Sequence, residues 1–220
     1  MSAWFITGTG TEIGKTHVAG AMIRRWRAGG MAARALKPVA TGYQPARSAT
    51  SDAGVLLAAM GQMTGDAAVA RICPWRFADP LSPDMAAARA GKAIPFDDVL
   101  GFCRTEIARA TAPLLIEGVG GAMVPLDQCH TVRDWMAALN IPAIVVCGGY
   151  LGAISHTLCT VEAMRARDIP IAMVAINPIG DLPVPATVTQ ASLIRHGAGP
   201  VLVFGTPEWQ DWVDQAPGKR

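Results

Sequence analysis

Short unbroken runs of apolar residues recur along the chain, and most are followed by a stretch with helical spacing. "AWFIT" (Ala3–Thr7) is the first run, and it stops at Gly8. A continuous apolar run of this length predicts a strand buried on both faces. Lys15 to Gly29 holds good helix formers and closes on Gly29-Gly30, a C-cap signal. "ARALKPV" (Ala33–Val39) predicts a second strand, ended by Pro38. Ser51-Asp52 can cap a helix through "AGVLLAAMG". "SPDMAAARAG" and "PFDDVLGFCRTEIARA" predict two more helices, with Pro95 suited to a start and Asp97-Asp98 to a first turn.

The second half repeats the alternation. "APLLIEGVGG" (Ala112–Gly121) reads as a strand that ends in an acid and a glycine-rich turn. "TVRDWMAALN" reads as a helix, "IPAIVVCGG" (Ile141–Gly149) as a strand and "ISHTLCTVEAMRARD" as a helix. "IPIAMVAIN" (Ile169–Asn177), "PATVTQASLIRHG" and "PVLVFG" complete the series as strand, helix and strand. Apolar strands alternating with helices predict a mostly parallel sheet covered on both faces, an α/β three-layer sandwich. No linker, repeat or low-complexity segment interrupts it, so one domain is expected over residues 1–220.

In such sheets ligands gather at the carboxyl ends of the strands. Polar or glycine-rich pairs stand at five of these ends: Thr7-Gly8, Lys37-Pro38, Glu117-Gly118, Gly148-Gly149 and Asn177-Pro178. Composition narrows the partners. The chain is 51% hydrophobic and 16% charged with a net charge of +2, enough to bury a core and without a basic stripe for nucleic acid. Its most apolar stretch is too short to span a bilayer, and "MSAWFITG" has no basic n-region of a signal peptide. Five cysteines, an odd number with no C-x-x-C pair, predict a reduced, cytoplasmic protein without a zinc site. The four histidines have no metal-ligand spacing, and the six tryptophans are scattered as packing residues.

"ITGTGTEIGKT" (Ile6–Thr16) carries the first chemistry. Gly14-Lys15-Thr16 matches the end of a phosphate-binding loop, but five residues rather than four separate Gly8 from Gly14. The segment follows a predicted strand and opens a predicted helix. There, backbone N–H groups and the helix dipole can hold phosphate oxygens. Lys15 is then a point charge for the terminal phosphates and Thr16 a hydroxyl for Mg²⁺. A metal site also needs a carboxylate. Glu117 ends an apolar strand, where such an acid belongs, the alternative being an exposed turn acid; Asp52, taken alone, is most simply a helix cap near Ser51. Lys37 has two readings, an exposed strand-end charge or a cation aimed at a reacting anion.

These residues together resemble the dethiobiotin synthetase family, over nearly the whole chain. "TGTGTEIGKT" is similar to that family's T-G-T-D-T-E-V-G-K-T, including the extra residue. "KPVATG" (Lys37–Gly42) resembles K-P-V-x-S/T-G, and "EGVGGAMVPL" (Glu117–Leu126) resembles E-G-A-G-G-x-x-x-P-L. "LGAISHTLCTVEAMRARDI" (Leu151–Ile169) resembles L-G-x-I-N-H-T-L-L-T and its helix, and "VAIN" (Val174–Asn177) the strand that ends in an adenine-contacting asparagine.

The resemblance implies a P-loop NTPase-like fold and an ATP- and Mg²⁺-dependent closure of 7,8-diaminopelargonate with CO2 to dethiobiotin. The route runs through a carbamate and a carbamic–phosphoric anhydride. It implies that Lys15 and Lys37 flank the carbamate and γ-phosphate, with Thr11 beside them. Thr16, Asp52 and Glu117 would hold Mg²⁺. Glu12, Ile13, Gly14, Lys15, Thr16 and His17 would bind nucleotide, joined by Asn177 and the adenine-side Pro207 and Glu208. Lys37, Thr41, Gly118, Leu151, Gly152 and Ser155 would contact the substrate. The turn at Gly149–Gly152 would take its distant carboxylate at a homodimer interface. Gly10 stands where the family commonly has aspartate, Ser155 where it has asparagine and Tyr150 where some members have lysine. The competing function is a ParA/MinD-like ATPase switch that binds partner proteins. Against it, Ile6-Thr7 occupy the place of the extra lysine such switches carry before the loop, and "WQDWVDQAPGKR" is no basic amphipathic helix. Longer ATP ligases of the cobyrinate type carry a glutamine-splitting domain not seen in this sequence.

Overall fold

The computed structural model describes residues 2–180 and 182–218. Eight strands lie among them: β1 (Ala3–Gly8), β2 (Arg34–Leu36), β3 (Val39–Ala40), β4 (Trp75–Arg76), β5 (Leu114–Glu117), β6 (Ala143–Cys147), β7 (Ile171–Ile176) and β8 (Val201–Val203). Six form one parallel sheet in the order β2-β5-β1-β6-β7-β8. The central strands β5 and β6 are buried at every residue, as their continuous apolar runs require.

The helices are α1 (Lys15–Ala28), α2 (Asp52–Ala59), α3 (Asp66–Ile72), α4 (Pro83–Arg89), α5 (Phe96–Arg109), α6 (Val132–Leu139), α7 (Ala153–Arg165), α8 (Ala186–Arg195) and α9 (Pro207–Gln215). Neighbouring residues of β1 show how the two layers divide. The Trp4 ring stacks on Trp26 of α1 at 5.3 Å, while Phe5 meets Trp135 of α6 edge-on at 4.8 Å. Successive strand residues point to opposite faces, so α1 covers one face and α6 the other. The start of α6 is set by a capping box in which Thr131 accepts from the Asp134 N–H and Asp134 accepts from Thr131.

One expectation needs correction, and two helices were not foreseen. The strand foreseen over Ala33–Val39 ends at Leu36; Val39 and Ala40 pair instead with Trp75 and Arg76 in a separate two-stranded parallel sheet. Pro38 has no N–H for a ladder, so the chain leaves the main sheet there. Helix α3 lies where no element was foreseen; it is only seven residues long and has no side-chain cap. The C-terminal segment also holds a helix, α9. Pro207 sits in its first turn, where a missing N–H costs nothing, and Thr206 caps it by accepting from the Trp209 N–H. The two basic residues that end the quoted tail, Lys219 and Arg220, lie outside the described residues. The α9 helix docks through Trp26, whose indole N–H donates to the Val213 carbonyl at 2.7 Å. Among the described residues no helix is long and apolar enough to cross a membrane, and all five cysteines are free thiols.

Candidate active site

The strand order brings three chain segments together. Strand β5 lies between β2 and β1. Glu117 at its end therefore stands between Lys37, which follows β2, and the loop that follows β1. The loop runs from Thr9 to Gly14 and enters α1 at Lys15. It needs two left-handed residues, Glu12 at φ 59° and Gly14 at φ 88°. A side chain on Gly14 would also meet Asn177 Nδ2 at 1.9 Å, so only glycine fits. Asn177, nearly fully buried at the end of β7, donates from Nδ2 to the Ile13 carbonyl at 3.0 Å and fixes the loop.

Five charged or polar groups converge on a cavity of about 500 Å³. Thr16 donates from Oγ1 to Glu117 Oε1 at 2.7 Å. Lys37 Nζ donates to the same Glu117 oxygen at 2.7 Å and to the Gly118 carbonyl at 2.8 Å, and it lies 3.0 Å from Asp52 Oδ2. Lys15 Nζ curls back onto the Gly10 carbonyl at 2.7 Å. Lys37 is thus not an exposed strand-end charge: it is 2% exposed and ion-paired on two sides. Asp52 does not cap α2. Ser51 does so, accepting from the Gly54 N–H at 3.1 Å, which frees Asp52 for Lys37.

Each charge feels its neighbours. Burial lowers the Lys15 ammonium, the nearby Lys37 charge lowers it further, and Glu117 and Asp52 offset this in part, leaving a pKa of about 8. Burial also opposes the Lys37 ammonium, but Glu117 and Asp52 outweigh it and hold its pKa above the ordinary lysine value. Lys37 holds the half-exposed Asp52 carboxyl below its ordinary value against the cost of burial.

Hard oxygen donors define what ion would suit this place. Thr16, Asp52 and Glu117 offer one hydroxyl and two carboxylates, and Glu117 Oε2 is buried without a hydrogen-bond partner. Among the described residues no three His, Cys, Asp or Glu side chains gather. A small donor set that leaves positions for water and phosphate fits Mg²⁺ better than a caged metal.

Thr11, Glu12 and His17 line the cavity as exposed residues, and Thr41 lines it half-buried. Ile13 packs inward, with its Cδ1 2.3 Å from where a Cβ on Gly8 would sit. Gly118 does not line the cavity; it serves through its carbonyl. Val119 and Gly120 do line it and were not singled out from the sequence, although the glycine-rich turn contains them. Pro207 and Glu208 open α9 and do not line this cavity. Leu151, Gly152 and Ser155 also lie outside it, exposed at the start of α7, with Leu151 90% exposed.

Residues 2–215 match a family described as an AAA domain. An ATP-dependent dethiobiotin synthetase BioD of Acidiphilium cryptum is 66% identical over 220 residues, covering 98% of this chain and 99% of its own. Its counterpart in Methylobacterium nodulans is 44% identical over 209 residues, covering 92% of each chain. Among solved structures, the MinC:MinD cell division protein complex of Aquifex aeolicus aligns with a TM-score of 0.52 at 10% identity, over 99% of this chain and 87% of that one. At that identity the likeness concerns the fold alone, that of P-loop NTPases.

Proposed function

The chain belongs to the dethiobiotin synthetase family, an ATP-dependent cyclo-ligase of biotin synthesis, and from that premise we propose how its residues close the ring. The substrates are 7,8-diaminopelargonate, CO2 and ATP. One amine takes up CO2 as a carbamate. A carbamate oxygen attacks the γ-phosphorus, the bond to ADP breaks, and a carbamic–phosphoric anhydride forms. The second amine then attacks the carbonyl carbon, the ring C–N bond forms, and phosphate leaves.

Crowded negative charge is the main obstacle in this sequence, and fixed cations in a water-poor site counter it. Lys15 turns from the Gly10 carbonyl to the terminal phosphates, while the N–H groups of the loop from Glu12 to Gly14 hold their oxygens. Lys37, held by Glu117, Asp52 and the Gly118 carbonyl, would turn from the carboxylates to the point where carbamate and γ-phosphate meet. Thr16, Asp52 and Glu117 would hold Mg²⁺, which supplies charge neutralisation across the phosphates. Thr11 and Thr41 edge the reacting groups, His17 and Asn177 the nucleotide, and Pro207 and Glu208 the adenine side.

The remote carboxylate of the substrate falls to Leu151, Gly152 and Ser155 at the N-terminus of α7, where N–H groups are free for an anion. These residues lie outside the cavity of their own chain, which supports a homodimer in which one protomer completes the site of its partner. One observation carries the reading: Thr16 of α1 and Lys37, just after β2, share Glu117 Oε1. Phosphate release from Mg·ATP, measured with and without 7,8-diaminopelargonate and bicarbonate, tests it. Release should require both and yield the cyclic urea by mass. ATPase activity indifferent to both would overturn the reading.

A further inference from the structure

Lys37 contacts the same carboxyl groups that a divalent cation would use. Its ammonium lies 2.7 Å from Glu117 Oε1 and 3.0 Å from Asp52 Oδ2. A magnesium ion on those carboxylates would sit about 2.0–2.1 Å from its oxygens. The two cations would then share ligands at close range, and like charges so placed repel strongly where water is excluded. Lys15 adds a second ammonium to the same cavity. Two lysines therefore balance two carboxylates, and a lone divalent ion gains no net charge attraction there to offset losing its water shell.

We infer that Lys37 acts as an internal counter-ion that keeps divalent metal out of the site until nucleotide phosphates arrive. This rests on the assignment of Thr16, Asp52 and Glu117 to the metal. Phosphate oxygens give both ammonium groups new anionic partners and tip the balance toward the cation. The third Lys37 contact makes the exchange feasible. The Gly118 carbonyl, at 2.8 Å, belongs to no metal ligand, so Lys37 can keep that bond while it turns from the carboxylates toward the reacting anions. Glu117 Oε2, buried and without a partner, is the oxygen left open to the incoming ion. The consequence is strict order: metal enters with the nucleotide or after it, and Lys37 reaches the carbamate only when metal has replaced it on the carboxylates.

The test is Mn²⁺ binding, followed by the paramagnetic resonance of the free ion, with and without a non-hydrolysable ATP analogue. Wild-type protein should bind Mn²⁺ alone at least about tenfold more weakly than with the analogue. Lys37→Gln, checked for folding by circular dichroism, should bind Mn²⁺ alone about tenfold more tightly than wild type. Equal affinity of the wild type with and without the analogue overturns the inference, and this arm does not depend on the variant folding. An unchanged affinity in a folded Lys37→Gln variant overturns it too. Asp52→Asn separates the two levels. If it keeps full Mn²⁺ binding in the presence of the analogue, the metal assignment falls and the inference falls with it. If it loses that binding while Lys37→Gln gains nothing, only the inference falls.

Discussion

Thr16 and Glu117, 101 residues apart in the chain, are joined by a hydrogen bond of 2.7 Å from the threonine hydroxyl to Glu117 Oε1. That bond ties the end of the phosphate loop to the end of β5. It also makes Glu117 a shared support of the loop and of Lys37.

Glu117→Ala should therefore destabilise the fold as well as abolish turnover. It leaves the buried Lys37 ammonium without its closest partner, a change that costs about 3–5 kcal/mol. Urea unfolding with fluorescence detection gives the difference directly. A loss below about 1 kcal/mol would mean that the pair is solvated in solution.

Lys37→Ala should likewise lose about 3–5 kcal/mol rather than fold normally, because its charge is buried and paired. Ring closure by the folded fraction should fall about 100–1,000-fold in kcat. The double variant Lys37→Met with Glu117→Gln should be more stable than the losses of Lys37→Met alone and Glu117→Gln alone summed, since no buried charge is then left alone. Strict additivity in that cycle would rule out the pair as an energetic unit.

Lys15 makes nucleotide binding pH-dependent. Its pKa is lowered to about 8 in the folded protein, from the ordinary lysine value of 10.5. Above pH 8 the folded protein has given up this proton while the unfolded chain still binds it. The contribution of Lys15 to stability therefore rises with pH between about 8 and 10.5. Bound phosphate favours the ammonium, so ATP binding near pH 8.5–9 (about one unit above the midpoint at most) should take up a proton. Calorimetry in buffers of different ionisation enthalpy measures that uptake. Binding heats that do not change with the buffer would contradict it.

Two glycines of the loop should respond differently. Gly14→Ala forces a left-handed conformation, about 1–2 kcal/mol by itself, and drives a methyl into Asn177. It should melt earlier and lose nucleotide affinity. Gly10→Asp meets no atom within 4 Å of the new Cβ, so its melting temperature should stay within about 2 °C of wild type. Comparable melting temperatures for both variants would contradict the loop geometry.

The local features of this protein are written in the sequence because each depends on near neighbours. Gly14-Lys15-Thr16 between a strand and a helix marks the phosphate loop, and the unbroken apolar run of Leu114–Ile116 marks a buried strand with Glu117 at its end. Ser51 was visible as a cap for the same reason. Elements with weak local signals were not: α3 has seven residues and no side-chain cap, and α9, which Pro207 opens, was not foreseen as a helix. What Lys37 does could not be read locally at all. Its carboxylate partners lie 15 and 80 positions away, Asp52 on α2 and Glu117 on β5. Only the strand order, with β5 inserted between β2 and β1, places Glu117 between Lys37 and Thr16. That order is a property of how the crossovers pack on the sheet. The residue types set the available charges, and the packing decides which of them lose their water and must neutralise one another.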